Sequence, residues 1–461
     1  MGDTIVAYSG GALPAALGVV RLSGPEAFAI LGRHFSAKAG LPPRAWQGQR
    51  LYYGQLLDPS GRTLDLCMAC VFHGPHSATG EDMAELHCHG SGAVVAAALE
   101  CAVQAGARPA RAGEFTRRAF LAGKLDLTAA EAVADLIDAA SAPAARQAAA
   151  QLEGAVHSRV AGLREAIIGL LAHFYAACDY TDEDIEPFER TRALAVLAEA
   201  IARLEGLHSG FRAGMRVKNG VPVAIVGRPN SGKSSLFNAL AGQERAIVTD
   251  EAGTTRDVLD LLITCGDAPI RLLDTAGIRE TDGKVERLGI DRAKAALAES
   301  AACLALIDGA CAPSAEEVEA LQLALGCSQR LLILTKSDLS FDVEACLEAL
   351  RVLGAAPQHF DGPIVLSTVT GQGLDEVRRW LGTLAPAAGE DPLIASARQA
   401  GLMAAAAADL RTAREGLLAG MTPDAFLSDV ERAVDTLGQI TGETADFDIA
   451  SEIFGRFCVG K

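Results

Sequence analysis

The stretch Gly227-Arg228-Pro229-Asn230-Ser231-Gly232-Lys233-Ser234 spells the phosphate-loop pattern G-x-x-x-x-G-K-[ST] in full. It follows the apolar run Val221-Pro222-Val223-Ala224-Ile225-Val226, which reads as a buried strand, and precedes Ser235-Leu236-Phe237-Asn238-Ala239-Leu240-Ala241, which reads as a helix. A strand, a glycine loop and a helix in that order let backbone N–H groups and a helix N-terminus face phosphate oxygens. In such a loop Lys233 reaches the β and γ phosphates and the Ser234 hydroxyl ligates Mg²⁺.

The surrounding text makes this loop part of one α/β domain. Val223 to Val226, Ile270 to Leu273, Cys303 to Ile307, Leu331 to Leu334 and Ile364 to Leu366 are apolar strands separated by helical patterns. That alternation predicts a mainly parallel sheet covered on both faces.

Three further motifs end or follow these strands in order. Gly253-Thr254-Thr255-Arg256-Asp257 can place the Thr255 hydroxyl on Mg²⁺. Asp274-Thr275-Ala276-Gly277 sets Asp274 behind the metal and the Gly277 N–H near the γ-phosphate. Thr335-Lys336-Ser337-Asp338 lets the Asp338 carboxylate accept both N1–H and N2–H₂ of guanine, donors that adenine lacks as a pair, so this element points to GTP over ATP. Thr335 stands where asparagine is usual, and Ser367-Thr368-Val369 where Ser-Ala-Lys is often found. The residue after Gly277 is Ile278, which can neither orient nor activate water, so the catalytic glutamine of Ras-type enzymes is missing; Glu280, Asp282 and Glu286 follow as carboxylates in a polar stretch.

Outside this domain the chain changes character twice. Residues 1 to about 120 mix β-like runs (Leu17 to Leu22, Cys67 to Phe72) with short helices such as Ala93 to Ala105, an α+β pattern. From about Leu125 to Glu205 alanine-rich helical periodicity takes over, interrupted by the acidic run Asp179 to Glu186, and after a linker at Pro386 to Pro392 helix resumes over Ala397–Leu418 and Asp424–Ile440. One helical domain built from both sides of an inserted nucleotide domain satisfies these apolar faces. The expected division is 1–121 (N-terminal α+β), 122–216 (helical, first part), 217–384 (GTPase) and 385–461 (helical, second part). A length of 461 residues is ample for about three cores.

A net charge of −17 argues against nucleic-acid binding over a broad basic surface. No apolar run is long enough to cross a bilayer, and the opening residues lack a signal peptide's basic and apolar regions, so a cytoplasmic protein with no membrane partner is expected. Eleven cysteines without framework spacing read as reduced thiols. Cys67-x-x-Cys70 with His87 and His89 offers zinc-type ligands, but residues three apart on a strand face opposite sides. Arg117 and Arg118 read as helix-capping or solvated residues, or as contacts to an anionic group.

The whole pattern resembles the MnmE (TrmE) family of tRNA-modification GTPases. The likeness rests on the GTPase motifs together with Asp3-Thr4-Ile5, Arg21-Leu22-Ser23-Gly24, Thr79-Gly80-Glu81-Asp82, Glu85-Leu86-His87-Cys88-His89-Gly90, Gly113 to Phe120, Lys124-Leu125-Asp126-Leu127 and the closing Phe457-Cys458-Val459-Gly460-Lys461. The resemblance implies a homodimer that joins an MnmG-type, FAD/NADH-dependent partner in a heterotetramer and adds a carboxymethylaminomethyl-type group to C5 of the wobble uridine, position 34, of certain tRNAs. It implies a tetrahydrofolate derivative (5-formyl or 5,10-methylene) at Arg21, Glu85, Lys124 and Lys461, and a chemical role considered for Cys458. It implies K⁺ at Asn230, Thr249, Glu251 and Thr254, and Glu286 as the carboxylate that orients the attacking water. The GTP contacts implied are Asn230 to Ser235 (Asn230, Ser231, Gly232, Lys233, Ser234, Ser235), Thr249, Asp250, Glu251, Ala252, Gly253, Thr254, Thr255, Asp274, Thr275, Ala276, Gly277, Thr335, Lys336, Asp338, Ser367, Thr368 and Val369. Gly11 to Gly18 departs from the family's glycine-rich stretch before Arg21. The rival reading is a regulatory GTPase switch in ribosome assembly, which has no reason to carry the N-terminal domain and the Cys-Val-Gly-Lys end.

Overall fold

Alternating burial along nine residues, Ala15–Ser23, is the pattern from which the N-terminal part is built: Gly18, Val20 and Leu22 turn inward while Val19 and Arg21 turn outward. The computed structural model describes residues 2–179, 189–242, 260–274, 294, 296–339, 342–385, 393–421, 423–444, 453–455, 457 and 459–460. They form two compact units. One comprises Met1–Ala134, Gln151–Ala202 and Leu402–Lys461, the other Asp135–Ala150 and Arg203–Gly401.

The first unit contains a seven-stranded sheet from β1 (Ile5–Tyr8), β2 (Ala15–Ser23), β3 (Phe35–Ala37), β4 (Tyr52–Leu57), β5 (Thr63–Phe72), β6 (Met83–Gly90) and β7 (Arg108–Pro109), in the order β3-β4-β5-β6-β2-β1-β7. Helices α1 (Ala27–His34) and α2 (Gly92–Gln104) cover one face, where Phe28, Ile30, Leu31, Val95 and Ala98 join Val20, Leu22, Leu86 and Cys88 in one core. The other face is open at its β4–β5 side, where Tyr53 on β4 and Leu66 and Met68 on β5 are each more than two-fifths exposed, as is Leu17 on β2.

Helix α3 (Glu114–Leu121) packs its Phe115 against Ile5, Ala7 and Met83. Its Arg118 corrects the reading of a capping or solvated arginine. It is 4% exposed and donates to Asp3 Oδ1 and Glu81 Oε2, both at 2.8 Å, with Glu114 Oε1 at 3.4 Å. Burying a guanidinium requires this many carboxylates, and helix periodicity does not reveal them.

The long helices follow. Helix α4 (Ala155–Asp179) aligns Val156, Val160, Leu163, Ile167 and Phe174 in a buried stripe, packed on a late helix, Pro423–Thr441, through Phe426, Val430, Ala433, Leu437 and Ile440. Phe174 meets Phe426 edge to face at 6.1 Å. The residues after that helix return to the first sheet. Phe454 and Phe457 pack with Leu127 and Ala130, Val459 bridges to Ala112, and Ser9 Oγ donates to Gly460 O at 2.6 Å. A Cβ on Gly460, whose φ is +104°, would sit 2.1 Å from Tyr8 O, so only glycine fits there.

The second unit holds β8 (Val221–Val226), β9 (Asp260–Cys265), β10 (Ala268–Asp274), β11 (Ala302–Asp308), β12 (Gln329–Thr335) and β13 (Asp361–Val365), ordered β13-β12-β11-β8-β10-β9. All pairings are parallel except β9 with β10. The strand β9 was not expected from the sequence; a tight turn at Gly266 folds it onto β10 as an antiparallel edge. Every residue of β11 is buried, as a central parallel strand requires. Helices Lys233–Ala241 and Leu374–Gly382 pack on one face, and Ala315–Ala324 and Val343–Val352 on the other.

No helix among the described residues is long and apolar enough to cross a membrane.

Candidate functional site: a nucleotide cradle at the strand ends

Strands β8, β11 and β12 run parallel, so their carboxyl ends open along one edge, the position where α/β sheets hold ligands. From β8 the chain enters the loop 227–232 and then the helix Lys233–Ala241, whose N-cap is Gly232 at φ +95°. That helix has no side-chain cap and no acidic residue in its first turn, so its N-terminus suits an anion. A Cβ on Gly227 would lie 2.6 Å from Leu306 O and from Ser231 Oγ, which keeps the loop tight against β11. Lys233 Nζ donates to the carbonyls of Gly227 and Arg228 at 2.9 and 2.7 Å, spanning the loop as a phosphate-binding lysine must. Ser234 and Ser235 are exposed at the start of the helix. Asn230 is exposed in a left-handed conformation, φ +62°, which asparagine tolerates better than most residues.

The base-side elements sit on the neighbouring strands. Thr335, at the end of β12, is 4% exposed; its hydroxyl donates toward Ser231 O at 2.8 Å and Ile307 O at 3.1 Å. The threonine in place of asparagine thus still ties this strand to the phosphate loop, but its single O–H is used in doing so. Asp338 is exposed, with Oδ1 accepting from Ser367 Oγ at 2.7 Å. Ser367 is fully buried, and its oxygen accepts from the N–H groups of Val369 and Thr370. The motif after β13 therefore fixes the orientation of the Asp338 carboxylate, while Val369 itself is 83% exposed. Thr368 lies between them in the same turn.

A charged cluster that sequence reasoning missed lies behind both loops. Arg228 Nε donates to Glu317 Oε1 at 2.9 Å and its NH2 to Asp308 Oδ2 at 3.0 Å, while Lys336 Nζ donates to the same Asp308 oxygen at 2.7 Å. Glu317 is fully buried and Asp308 2% exposed. Burial works against the Arg228 charge, but the Glu317 and Asp308 carboxylates outweigh it and raise its pKa.

The backbone of Asp274 ends β10 opposite Ile225. Thr249, Asp250, Glu251, Ala252, Gly253, Thr254, Thr255, Thr275, Ala276, Gly277, Ile278, Glu280, Asp282 and Glu286 lie outside the described residues, as do Cys458, Lys461 and most of the acidic run and the linker.

Comparison with known proteins then decides the family. The model for the MnmE helical domain matches residues 127–458, and that for the GTP-binding protein TrmE N-terminus matches residues 4–124. A tRNA modification GTPase MnmE from Symbiobacterium thermophilum is 39% identical over 463 residues, covering 100% of this chain and 99% of its own. The chain belongs to the MnmE family of tRNA modification GTPases. A second MnmE, from Synechococcus sp. strain JA-3-3Ab, is also 39% identical, over 469 residues, with 100% and 99% covered. Among solved structures, Era in complex with MgGDPNP and nucleotides 1506–1542 of 16S ribosomal RNA is similar over 41% of this chain and 65% of that one, at 26% identity and a TM-score of 0.29.

As an MnmE-family GTPase, the chain binds GTP with the usual Mg²⁺ and hydrolyses it in the course of tRNA modification. In its N-terminal unit the register pairs Arg21 with Glu85 across β2 and β6, and Arg21 Nε donates to Glu85 Oε1 at 2.9 Å. A slip of one residue would turn both into the core. Burial alone would raise the Glu85 carboxyl, but His87, whose Nε2 is 3.1 Å from Oε2, and Arg21 hold it below its ordinary value. His87 is another residue that the sequence did not single out for this site. Lys124 is exposed at the end of α3, its Cε 3.7 Å from where a Gly80 side chain would begin.

The zinc reading meets a different geometry. His87 faces Glu85, His89 Nδ1 lies 2.8 Å from Asp65 Oδ1, and burial pushes the Cys67 thiol up to about 12. No metal-type cluster occurs among the described residues.

Proposed function

We propose that this chain is a K⁺-dependent GTPase that, with an MnmG-type FAD/NADH-dependent partner, adds a carboxymethylaminomethyl-type group to C5 of uridine 34 in certain tRNAs. The observation that carries this reading is the match to MnmE proteins along the entire chain, N-terminal unit included. An assembly switch would account for the GTPase part and leave the rest without a purpose.

In this reading the phosphate loop from Asn230 to Ser235 and the segments 249–255 and 274–277 surround the phosphates, with Ser234 and Thr255 on Mg²⁺. Thr335, Lys336, Asp338 and Ser367–Val369 form the guanine pocket. The uncapped helix N-terminus and the Ser367–Asp338 hydrogen bond support that assignment. Asn230, Thr249, Glu251 and Thr254 hold K⁺, which supplies the positive charge that other GTPases take from an arginine. Glu286 orients water in place of the missing glutamine; Glu286→Ala is expected to keep GTP binding and lose most turnover.

A tetrahydrofolate derivative binds near Arg21, Glu85, Lys124 and Lys461. The Arg21–Glu85 pair and the docking of Gly460 beside Tyr8 and Ser9 support this. Residues 1–121 also dimerise; the open sheet face with Leu17, Tyr53, Leu66 and Met68 is an apolar surface suited to a second copy. Residues 122–216 and 385–461 form the helical domain that carries motion from the GTPase domain, 217–384, to the modification centre. The protein acts in the cytoplasm.

The test is mass spectrometry of tRNA nucleosides from cells lacking the protein. Unmodified wobble uridine is expected; normal tRNA with defective ribosomes would favour the assembly switch instead.

A further inference from the structure

The four charges behind the nucleotide loops form a closed set. Asp308 Oδ2 accepts from both Arg228 and Lys336, and its Oδ1 from the Ala310 N–H at 3.1 Å. Glu317 Oε1 accepts from Arg228 and from the Asp308 N–H, and its Oε2 from the Ser314 N–H at 2.8 Å. Two cations meet two carboxylates, and every carboxylate oxygen is engaged. Such sets add little stability over apolar side chains of equal size, so their value lies in fixing geometry. The geometry here is specific. Arg228 belongs to the phosphate loop and Lys336 to the base loop, and Asp308 accepts from both, beside the direct hydrogen bond from Thr335 to Ser231 O. Each loop also carries a non-glycine residue in the left-handed region, Asn230 at +62° and Lys336 at +64°, conformations that persist only where neighbours enforce them.

We propose that Asp308 and Glu317 are positioning residues: through Arg228 and Lys336 they hold the phosphate loop and the guanine loop in register, and so set how strictly the site discriminates guanine. The inference rests on the reading of Asp338 as the guanine contact. A nucleotide fixed by its phosphates then meets the Asp338 carboxylate correctly only while the two loops keep their spacing. Cutting the link loosens the base contact more than the phosphate contact.

The experiment is competition against a fluorescent GDP analogue on the full chain, with GDP and IDP, whose base lacks the 2-amino group, as competitors. The wild type is expected to prefer GDP by about tenfold, the weight of one hydrogen bond to a charged acceptor. Asp308→Asn is expected to weaken GDP by about tenfold and to bring the IDP-to-GDP ratio close to one. Arg228→Met, at the partly exposed member, tests the same link should Asp308→Asn fail to fold, and is also expected to lower the ratio. The double variant is expected to be no worse than Asp308→Asn alone, because both cut one link. Variants that weaken GDP and IDP by the same factor, with the ratio kept, would reduce these residues to ordinary fold contacts and overturn the proposal. Equal binding of GDP and IDP by the wild type would overturn the guanine reading itself, and this proposal with it.

Discussion

Replacing Asp338 by asparagine tests the base pocket most directly, because the structure says which way the new amide will point. In the wild type Ser367 Oγ donates to Asp338 Oδ1 at 2.7 Å, and Ser367 is fully buried and held by two backbone N–H groups. An asparagine keeps that bond only by giving its carbonyl oxygen to Ser367, which aims its NH₂ at the base. Guanine then meets a donor where it needs an acceptor. The loss is one hydrogen bond to a charged acceptor, about 1.5–3 kcal/mol, plus the cost of two donors left facing each other, about 1–3 kcal/mol. Asp338 is exposed in the free chain, so water offsets part of this and the lower end applies: about 3 kcal/mol, or roughly a hundredfold in GDP affinity. Xanthine, which carries a carbonyl in place of the 2-amino group, should gain where guanine loses, so Asp338→Asn is expected to prefer XDP over GDP. Titrations of both nucleotides against wild type, Asp338→Asn and Asp338→Asn/Ser367→Ala measure this, and the last should show a smaller preference because its amide is free to turn. Retention of wild-type GDP affinity in Asp338→Asn would refute the assignment. An unchanged preference in the double variant would refute the orienting role of Ser367.

Thr335→Asn should strengthen GDP binding by roughly three- to tenfold, since a carboxamide can keep the bond to Ser231 O and still offer a second group to the nucleotide; weaker binding would mean that this buried position has no room for a longer side chain. Potassium is expected to speed GTP hydrolysis over sodium by roughly tenfold or more, and Asn230→Ala to abolish the difference, with equal rates in the two salts for the wild type refuting the cation site. Arg118→Met should lower the stability of the first unit by about 3 kcal/mol, read as a drop in thermal midpoint, because it leaves Glu81 without its cation and Asp3 and Glu114 with Arg108 alone. The hydrogen bond from Arg108 and the charge of Arg118 hold Asp3 below its ordinary value, and Glu114 is held low against its own burial by Arg108. The stabilisation from these depressed carboxyls is present above the usual carboxylate range, about pH 4, and is lost as pH falls below it. Wild-type midpoints should therefore fall between pH 5 and pH 3 more steeply than those of Arg118→Met, and parallel curves would count against the ion-pair account.

The sequence was most legible where chemistry demands fixed spelling. A glycine loop between strand and helix, and Asp338 three residues beyond Thr335, announce themselves because backbone geometry and hydrogen-bond complementarity leave few alternatives. Buried ion pairs leave no such trace. Arg228 and Glu317 are 89 residues apart, and nothing in the local periodicity of Ala315–Ala324 separates Glu317, which is fully buried, from the neighbouring acidic residues Glu316 and Glu319. Arg118 was misread for the same reason: its partners Asp3 and Glu81 come from distant segments. The strand β9 was missed because Asp260–Cys265 is short and follows a polar stretch, and its pairing depends on the turn at Gly266 rather than on a long apolar run.

The contact between Ser9 and Gly460 spans 451 residues. It bears on how the chain is made. The first sheet leaves the ribosome early, yet Val459 and Gly460, which meet Ala112 and Ser9, are translated after the stretch from Arg203 to Gly401 that folds around its own two cores. Domains usually fold in the order they are synthesised. Here the nucleotide unit can be complete while the N-terminal unit still lacks the Gly460 strap, so a nascent chain can acquire its nucleotide fold before the surface at Tyr8 and Ser9 is closed.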